Sequence, residues 1–186
     1  SIEITPELTV QDTDKYKLFE VSHGTICAAI VKKYYPDAIF TSIKVLNDKS
    51  GPGKKEQLVK AIQWCVDNGI QVANLSLGTI RYRDFQVIRD AINKAYDRGL
   101  IIVAACSNKD IFTYPASCSN VIGVKSSKTL NLKEGEYIYN LYPLDGVEVT
   151  ACGEHTLLKN GDVLKLTRIC NSYAAPMITA KVCKII

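Results

Sequence analysis

The apolar residues of this chain recur in two patterns, one typical of amphipathic helices and one typical of buried strands. Apolar positions spaced by three or four residues predict helices over about 24–35, 56–68 and 85–98. Apolar and β-branched runs predict strands over about 39–46, 71–77, 100–106 and 121–124. Strands and helices that alternate in this way favour an α/β fold of three layers, with a mostly parallel sheet and helices on both faces.

Shorter elements are predicted where this rhythm breaks. The first twenty residues alternate loosely and predict one or two short exposed strands around Pro6, followed by a polar turn over 11–14. Two glycines and a proline predict a loop over 47–55. Beyond about residue 126, the chain is expected to form strands over 137–139 and 147–151, a hairpin turn over 159–162, and a final helix.

Size and charge indicate a single domain, 1–186, without an electrostatic partner. A chain of 186 residues with 47% hydrophobic residues can bury a core of its own. The net charge of +4 is small, and its basic residues are scattered among acidic ones. We therefore expect neither nucleic acid nor a membrane as a partner.

The cysteines predict a reducing compartment. There are seven, an odd number, with no CxxC pair, and several lie inside apolar runs. Buried, reduced thiols account for this pattern better than a disulfide framework or a zinc site. Because neither a signal-peptide pattern nor an apolar run of about 18 residues is present, the expected location is cytoplasmic. No acidic cluster has the spacing of calcium ligands, so neither a metal nor another cofactor is predicted.

Residues able to do chemistry stand at the ends of several predicted elements. His23 begins the first helix, and histidine is the usual base at neutral pH, although a lone histidine is more often structural. The only other histidine, His155, lies in a polar hairpin and is expected to be solvated. Ser76, Leu77 and Gly78 end a buried strand, where an extended peptide could add by main-chain hydrogen bonds and Gly78 would allow its close approach.

Two further residues have both a chemical and a structural interpretation. Asn108 follows the most apolar strand, so its amide could donate to an oxyanion, but a tight turn explains an asparagine equally well. Ser172 precedes the last helix, with Pro176 expected in the first turn. It could be an acylating nucleophile or a helix N-cap.

Taken together, the segments His-Gly-Thr, Ser-Leu-Gly, Ala-x-x-Asn and Ser-x-Ala-Ala-Pro occur in an order that resembles the subtilisin-like (subtilase) family of serine peptidases. The resemblance covers about 22–183. It implies that His23 is the general base, Ser172 the nucleophile and Asn108 the oxyanion donor. It also implies that Ser76–Gly78 pairs with the substrate. Ala104 and Ala105 would border the pocket for the residue before the scissile bond.

The chain departs from the family pattern around the nucleophile and at the acid. Asn171 and Tyr173 flank Ser172 where the family usually has threonine and methionine, and Ser107 replaces a glycine. The segment 12–14 resembles the Asp-Thr-Gly of the catalytic acid but lacks its glycine. The chain is therefore expected to begin after the acid-bearing strand, and an upstream fragment could supply the carboxylate.

Two hypotheses of function follow from this resemblance. The first is an intracellular serine endopeptidase that matures a specific peptide or protein through an acyl-enzyme. The second is an inactive pseudoprotease that binds a peptide or protein partner in the same groove. A doubly wound nucleotide-binding domain is disfavoured because no strand is followed by a glycine-rich phosphate loop.

Overall fold

The computed structural model describes residues 1–12, 22–46, 54–109, 111–159 and 162–186. Its helices are α1 (His23–Tyr34), α2 (Lys55–Asp67), α3 (Tyr82–Tyr96) and α4 (Asn171–Cys183). Its strands are β1 (Ile2–Ile4), β2 (Val10–Asp12), β3 (Ile43–Lys44), β4 (Val72–Leu75), β5 (Ile101–Ala105), β6 (Ile122–Lys125), β7 (Tyr137–Tyr139), β8 (Val149–Ala151), β9 (Thr156–Lys159) and β10 (Asp162–Leu166).

Most of the strands belong to a five-stranded sheet with the order β4-β5-β6-β8-β7. Strands β4, β5, β6 and β8 run parallel, and β7 is an antiparallel edge. A smaller sheet has the order β2-β1-β3, with β1 parallel to β3, and β9 and β10 form an antiparallel pair. The predicted α/β fold with a mostly parallel sheet is confirmed.

Strand β5 carries the core on both of its faces. Val103 and Ala105 pack in a cluster with residues of α1 and α4, whereas Ile102 and Ala104 pack in a cluster with residues of α2 and α3. Side chains of a strand alternate between its two faces, so a strand covered by helices on both sides needs apolar residues at every position. This explains why the sequence shows no polar residue between 100 and 106.

Local signals place the ends of the helices. The Ser22 hydroxyl accepts a hydrogen bond from the Thr25 N–H at 3.2 Å and caps α1. Gly69 and Gly99 follow α2 and α3 with φ values of 66° and 84°, a conformation that glycine adopts at little cost. Helix α3 begins at Tyr82, earlier than the predicted start near residue 85.

The N-terminal segment differs from the prediction. Ile2 and Ile4 are 9% and 1% exposed, so β1 is a buried strand rather than an exposed one. Residues 11 and 12, predicted as part of a turn, pair with β1 as the end of β2. Residues 13 and 14 of that turn lie outside the described residues. The Ile4 side chain is buried in a cluster with Val45 and with Ala61 of α2, contacts that exist only in the packed fold.

Other predicted elements are shorter or shifted. Of the strand predicted over 39–46, only Ile43–Lys44 pairs with a neighbour. Of the loop predicted over 47–55, residues 47–53 lie outside the described part, and residue 55 already belongs to α2. The turn residues 160 and 161 also lie outside it, but β9 and β10 on either side pair antiparallel, as a hairpin requires.

Candidate active site

Ser172 is the second residue of α4, and Cys170 occupies the N-cap position. The interpretation of Ser172 as an N-cap is therefore wrong. The carbonyl of Cys170 accepts the N–H groups of Tyr173 and Ala174 at 3.1 and 3.2 Å. Among the described residues, the N–H and the hydroxyl of Ser172 form no hydrogen bond. A half-buried serine at a helix N-terminus thus presents a hydroxyl and a main-chain donor together.

The amide of Asn108 is oriented by the main chain of the same helix. Its Oδ1 accepts the N–H of Asn171 at 2.9 Å. Because an N–H can bond only to the oxygen of the amide, the Nδ2 group must point away from Asn171. Within the described part of the chain, Nδ2 has no acceptor. Asn108 and Ser172 therefore each offer an unpaired donor at the start of α4.

The Asn171 side chain holds residues 106 and 107, which precede Asn108, against α4. Asn171 is 5% exposed. Its Oδ1 accepts the N–H and hydroxyl of Ser126 at 2.7 and 2.8 Å. Its Nδ2 donates to the carbonyls of Ser107 and Cys106 at 2.8 and 3.3 Å. A buried amide with all its groups bonded fixes the loop that carries Asn108, a role that sequence reasoning missed because the partners are distant in the chain.

Pro176 lies inside α4 rather than in its first turn, where it was expected. A proline has no N–H, so the helix cannot supply the usual partner of the carbonyl four residues earlier, which is that of Ser172. That carbonyl instead accepts the Ser76 hydroxyl at 3.0 Å and the Cys27 thiol at 3.5 Å. Because the helical bond is missing, the Ser172 carbonyl is free to connect the start of α4 to α1 and to the residue that follows β4.

His23 is the first residue of α1, at the helix N-terminus as predicted. It is exposed, and its ring lies against that of Tyr173, with centroids 5.2 Å apart and planes inclined by 31°. Partial burial and the nearby Arg168 cation lower the pKa of His23 from its ordinary value. The imidazole is therefore neutral at pH 7, the form that a general base requires. No hydrogen bond joins it to Ser172 or to a carboxylate among the described residues.

The predicted substrate strand follows β4. Within the described part of the chain, the main-chain groups of Leu77 and Gly78 are unpaired and could bond an extended peptide. Gly78 also has a structural role that was not predicted. A Cβ there would lie 2.5 Å from the Tyr114 carbonyl oxygen and 2.9 Å from Thr113 Cγ2. The chain's own residues 113 and 114 therefore approach Gly78 closely, and Tyr114 pairs with Thr79.

The remaining predicted pocket residues lie deeper than the site. Ala104 has no exposed surface, and Ala105 is 4% exposed. The side chain of Ala104 therefore belongs to the core, and the pocket role of Ala105 stays a prediction. A residue that the sequence did not single out, Gly153, packs on the N-cap of α4, because a Cβ there would lie 2.6 Å from the Cys170 carbonyl oxygen.

The prediction that His155 is solvated is wrong, since its side chain is completely buried. Its Nε2 lies 2.9 Å from the Tyr173 carbonyl oxygen, and its Nδ1 lies 2.9 Å from the Tyr34 hydroxyl. A carbonyl can only accept, so Nε2 carries the proton and Nδ1 accepts from Tyr34. Burial lowers the pKa of His155.

This buried histidine makes the stability depend on pH. Above its ordinary pKa of 6.5, His155 is neutral in both the folded and unfolded states. As the pH falls below that value, the unfolded chain binds a proton that the folded state resists. The free energy of unfolding therefore falls by up to about 1.4 kcal/mol per pH unit until the lower, folded pKa is passed. Denaturant unfolding between pH 7.5 and 4.5 measures this slope.

The variant His155→Gln is the control for this prediction, because glutamine does not titrate. Its slope below pH 6.5 should be smaller than that of the wild type by the contribution of His155. His23, whose pKa shift has the same sign, keeps its own contribution in both proteins. Equal slopes for the two proteins would contradict the assignment.

In the part of the chain that the structure describes, a serine, two unpaired donors and a histidine lie around the start of α4. Comparison with known proteins supports the predicted family. Residues 2–185 match the family model described as the Subtilase family. This chain is a subtilase. The match covers nearly the whole sequence, and none of the seven cysteines of this subtilase, all of which lie within the described residues, forms a disulfide in the structure.

Curated relatives of the subtilase are longer proteins. The minor extracellular protease Epr of Bacillus subtilis (strain 168) is 33% identical over 135 residues, which are 66% of this chain and 20% of that protein. Thermitase of Thermoactinomyces vulgaris is 31% identical over 148 residues, which are 65% of this chain and 52% of that protein. The subtilase therefore spans between a fifth and about half of the length of these relatives.

Solved structures share the fold. An epidermin leader peptide processing serine protease from Staphylococcus aureus is 20% identical with a TM-score of 0.67, covering 94% of this chain and 54% of that one. A lanthipeptide protease is 21% identical with a TM-score of 0.65, covering 85% and 58%. No helix of the described residues has the length and apolar character to cross a membrane.

Proposed function

We propose that this subtilase is a serine endopeptidase with Ser172 as its nucleophile. One observation carries the proposal. At the start of α4, the hydroxyl of Ser172 lies beside its own N–H, and Asn108, oriented by Asn171, offers a second donor; both donors are unpaired within the described part of the chain. Two such donors are what the oxyanion of an acyl-transfer intermediate requires.

The reaction follows from the roles of these groups. The Ser172 Oγ forms a bond to the carbonyl carbon of the scissile peptide while His23 takes its proton. The carbonyl oxygen becomes an oxyanion and accepts the Asn108 Nδ2–H and the Ser172 N–H. When the C–N bond breaks, His23 returns the proton to the leaving amine. Water, again deprotonated by His23, then hydrolyses the acyl ester and frees Ser172.

A carboxylate that orients His23 is proposed to arrive on an additional strand. Among the described residues, β4 pairs only with β5 and β3 pairs only with β1. Ile43 of β3 and Leu77 after β4 both pack on the same two core clusters, so the two open strand edges lie over a shared core. A strand from an upstream fragment that pairs with these edges could carry the acid, and unpaired main-chain groups favour such an addition.

The proposed substrate is a specific peptide or protein that this enzyme matures. Within the described part of the chain, Leu77 and Gly78 offer unpaired main-chain groups, and Thr79 then pairs with the chain's own Tyr114, which limits how much substrate the edge can bind. The names of two fold neighbours refer to a lanthipeptide and to epidermin leader peptide processing. Reduced cysteines support a cytoplasmic location for the reaction.

An inactive, peptide-binding pseudoprotease is the second candidate. The observation that favours it is the surroundings of His23, which include the Arg168 cation and no bonded carboxylate among the described residues. Both candidates would bind a peptide at Leu77, Gly78 and Ser172. They differ only in whether the serine is activated.

A fluorophosphonate probe separates the two candidates, because it labels only activated serines. We expect labelling of the chain when the upstream segment is present, and its loss in Ser172→Ala. The exposed Ser119 provides the matched control, and Ser119→Ala should be labelled like the wild type. If the wild type with the proposed upstream segment added is not labelled, the endopeptidase proposal fails and the pseudoprotease remains.

A further inference from the structure

A polar cluster that the proposed mechanism does not use surrounds one fully buried side chain near the start of α4. Its centre is the imidazole of His155, and its other members are Lys33, Tyr34 and Glu134. Glu134 Oε1 lies 3.9 Å from His155 Nδ1 and pairs with the Lys33 ammonium group. A histidine with no exposed surface, held between a tyrosine and a carbonyl, has a defined orientation and a defined tautomer.

The main chain around His155 is fixed as firmly as its ring. The His155 N–H donates to the Thr167 hydroxyl at 2.8 Å, and the Thr167 N–H donates to the His155 carbonyl at 2.9 Å. Nearby, the Thr156 N–H donates to Glu134 at 2.9 Å, and Lys33 donates to the Thr156 carbonyl at 2.7 Å. These bonds connect α1 to β9 and leave the imidazole little freedom to move.

The ring of His155 is bonded to the residue that follows the nucleophile. Its Nε2–H donates to the carbonyl of Tyr173 at 2.9 Å, and the side chain of Tyr173 packs against the ring of His23. Tyr173 is 8% exposed and therefore has few alternative positions. Through its main chain Tyr173 belongs to the nucleophile segment, and through its side chain it contacts the proposed base.

We propose that His155 is a positioning residue that holds Tyr173 so that Ser172 and His23 keep the relative placement needed for attack. This inference rests on the proposed function, since it concerns the same site. His155 does not touch the substrate and takes no part in proton transfer. Its effect is geometric, and small displacements of reacting groups reduce turnover strongly.

The test compares three variants of the chain, each with the proposed upstream segment added. His155→Leu removes the donor to Tyr173, whereas His155→Gln places an amide N–H near the position of Nε2. Tyr34→Phe removes only the bond to Nδ1 and leaves the donor to Tyr173 in place. Rates are divided by the concentration of active sites titrated with fluorophosphonate, so unfolded molecules do not contribute.

We expect His155→Leu to lower kcat and the labelling rate constant by about ten-fold or more, with KM changed by less than about two-fold. His155→Gln should recover most of the lost rate, and Tyr34→Phe should stay within about three-fold of the wild type. A merely structural role would lower the melting temperature and leave kcat per titrated site unchanged. That outcome for His155→Leu would overturn the proposal.

A readout without catalysis separates this proposal from the proposed function. The pKa of His23, followed by NMR of its ring protons, should rise towards its ordinary value in His155→Leu, because Tyr173 no longer covers the ring. It should stay unchanged in His155→Gln. If the wild type is not labelled by fluorophosphonate but this pKa shift is seen, His155 does hold Tyr173 against His23, while the endopeptidase proposal fails. An unchanged pKa in both variants overturns the positioning role.

Discussion

Replacing His23 by alanine is expected to lower the kcat of peptide cleavage by about 10⁶-fold, a size known for the corresponding loss in subtilisin, a member of the same family. Without the imidazole, no neutral base takes the proton of the Ser172 hydroxyl, and the serine stays protonated and weakly nucleophilic at pH 7. Hydrolysis of a peptide substrate in the presence of the upstream segment measures the loss.

The double variant His23→Ala with Ser172→Ala serves as the control. Residues that act as one unit are not additive, so the double variant should be no slower than the slower of the two single variants. Fluorophosphonate labelling should be lost in all three proteins. Independent, multiplying effects of the two substitutions would show that His23 and Ser172 do not act in the same step.

The second largest effect is expected at Asn108. Asn108→Ala removes one oxyanion donor and should lower kcat by about 10² to 10³-fold, or about 2.7–4 kcal/mol, again a size measured in subtilisin. KM should change little, because the Asn108 amide bonds the oxyanion of the transition state more strongly than it bonds the carbonyl of the bound substrate. Steady-state kinetics on one peptide substrate give both constants.

Asn108→Asp distinguishes hydrogen-bond donation to the oxyanion from the structural contact with the Asn171 N–H. Aspartate keeps an oxygen for the Asn171 N–H, the bond that measures 2.9 Å in the wild type, but it cannot donate and adds a negative charge beside the oxyanion. Its kcat should therefore be at least as low as that of the alanine variant. If the aspartate variant retains wild-type kcat, Asn108 acts through the Asn171 contact and not as a donor.

Much of the fold was predictable because its determinants are local. The apolar run over 100–106 identified a strand buried on both faces, and β5 packs with a separate cluster on each face. Gly69 and Gly99 marked helix ends through a backbone conformation that favours glycine. Where a signal was weak, as in β3, the predicted strand was longer than the observed one, since pairing depends on a neighbour.

The nucleophile segment shows the limit of local signals. Sequence spacing placed Pro176 in the first turn of a helix and left Ser172 as a possible cap. In the fold, α4 begins one residue before Ser172, and Pro176 frees a carbonyl that bonds to Ser76 and Cys27. The partners of that carbonyl lie 96 and 145 residues away along the chain, too far for any short motif to indicate them.

By itself, the sequence determined the alternation of strands and helices and the order of the His23, Ser76–Gly78, Asn108 and Ser172 segments, because periodicity and short motifs are properties of neighbouring residues. Only the tertiary structure decided that His155 is buried against Tyr173, that Asn171 orients the loop of Asn108, and that Gly78 accommodates Tyr114. Those contacts join residues from different elements. Burial and hydrogen bonding at such points exist only after the elements have packed.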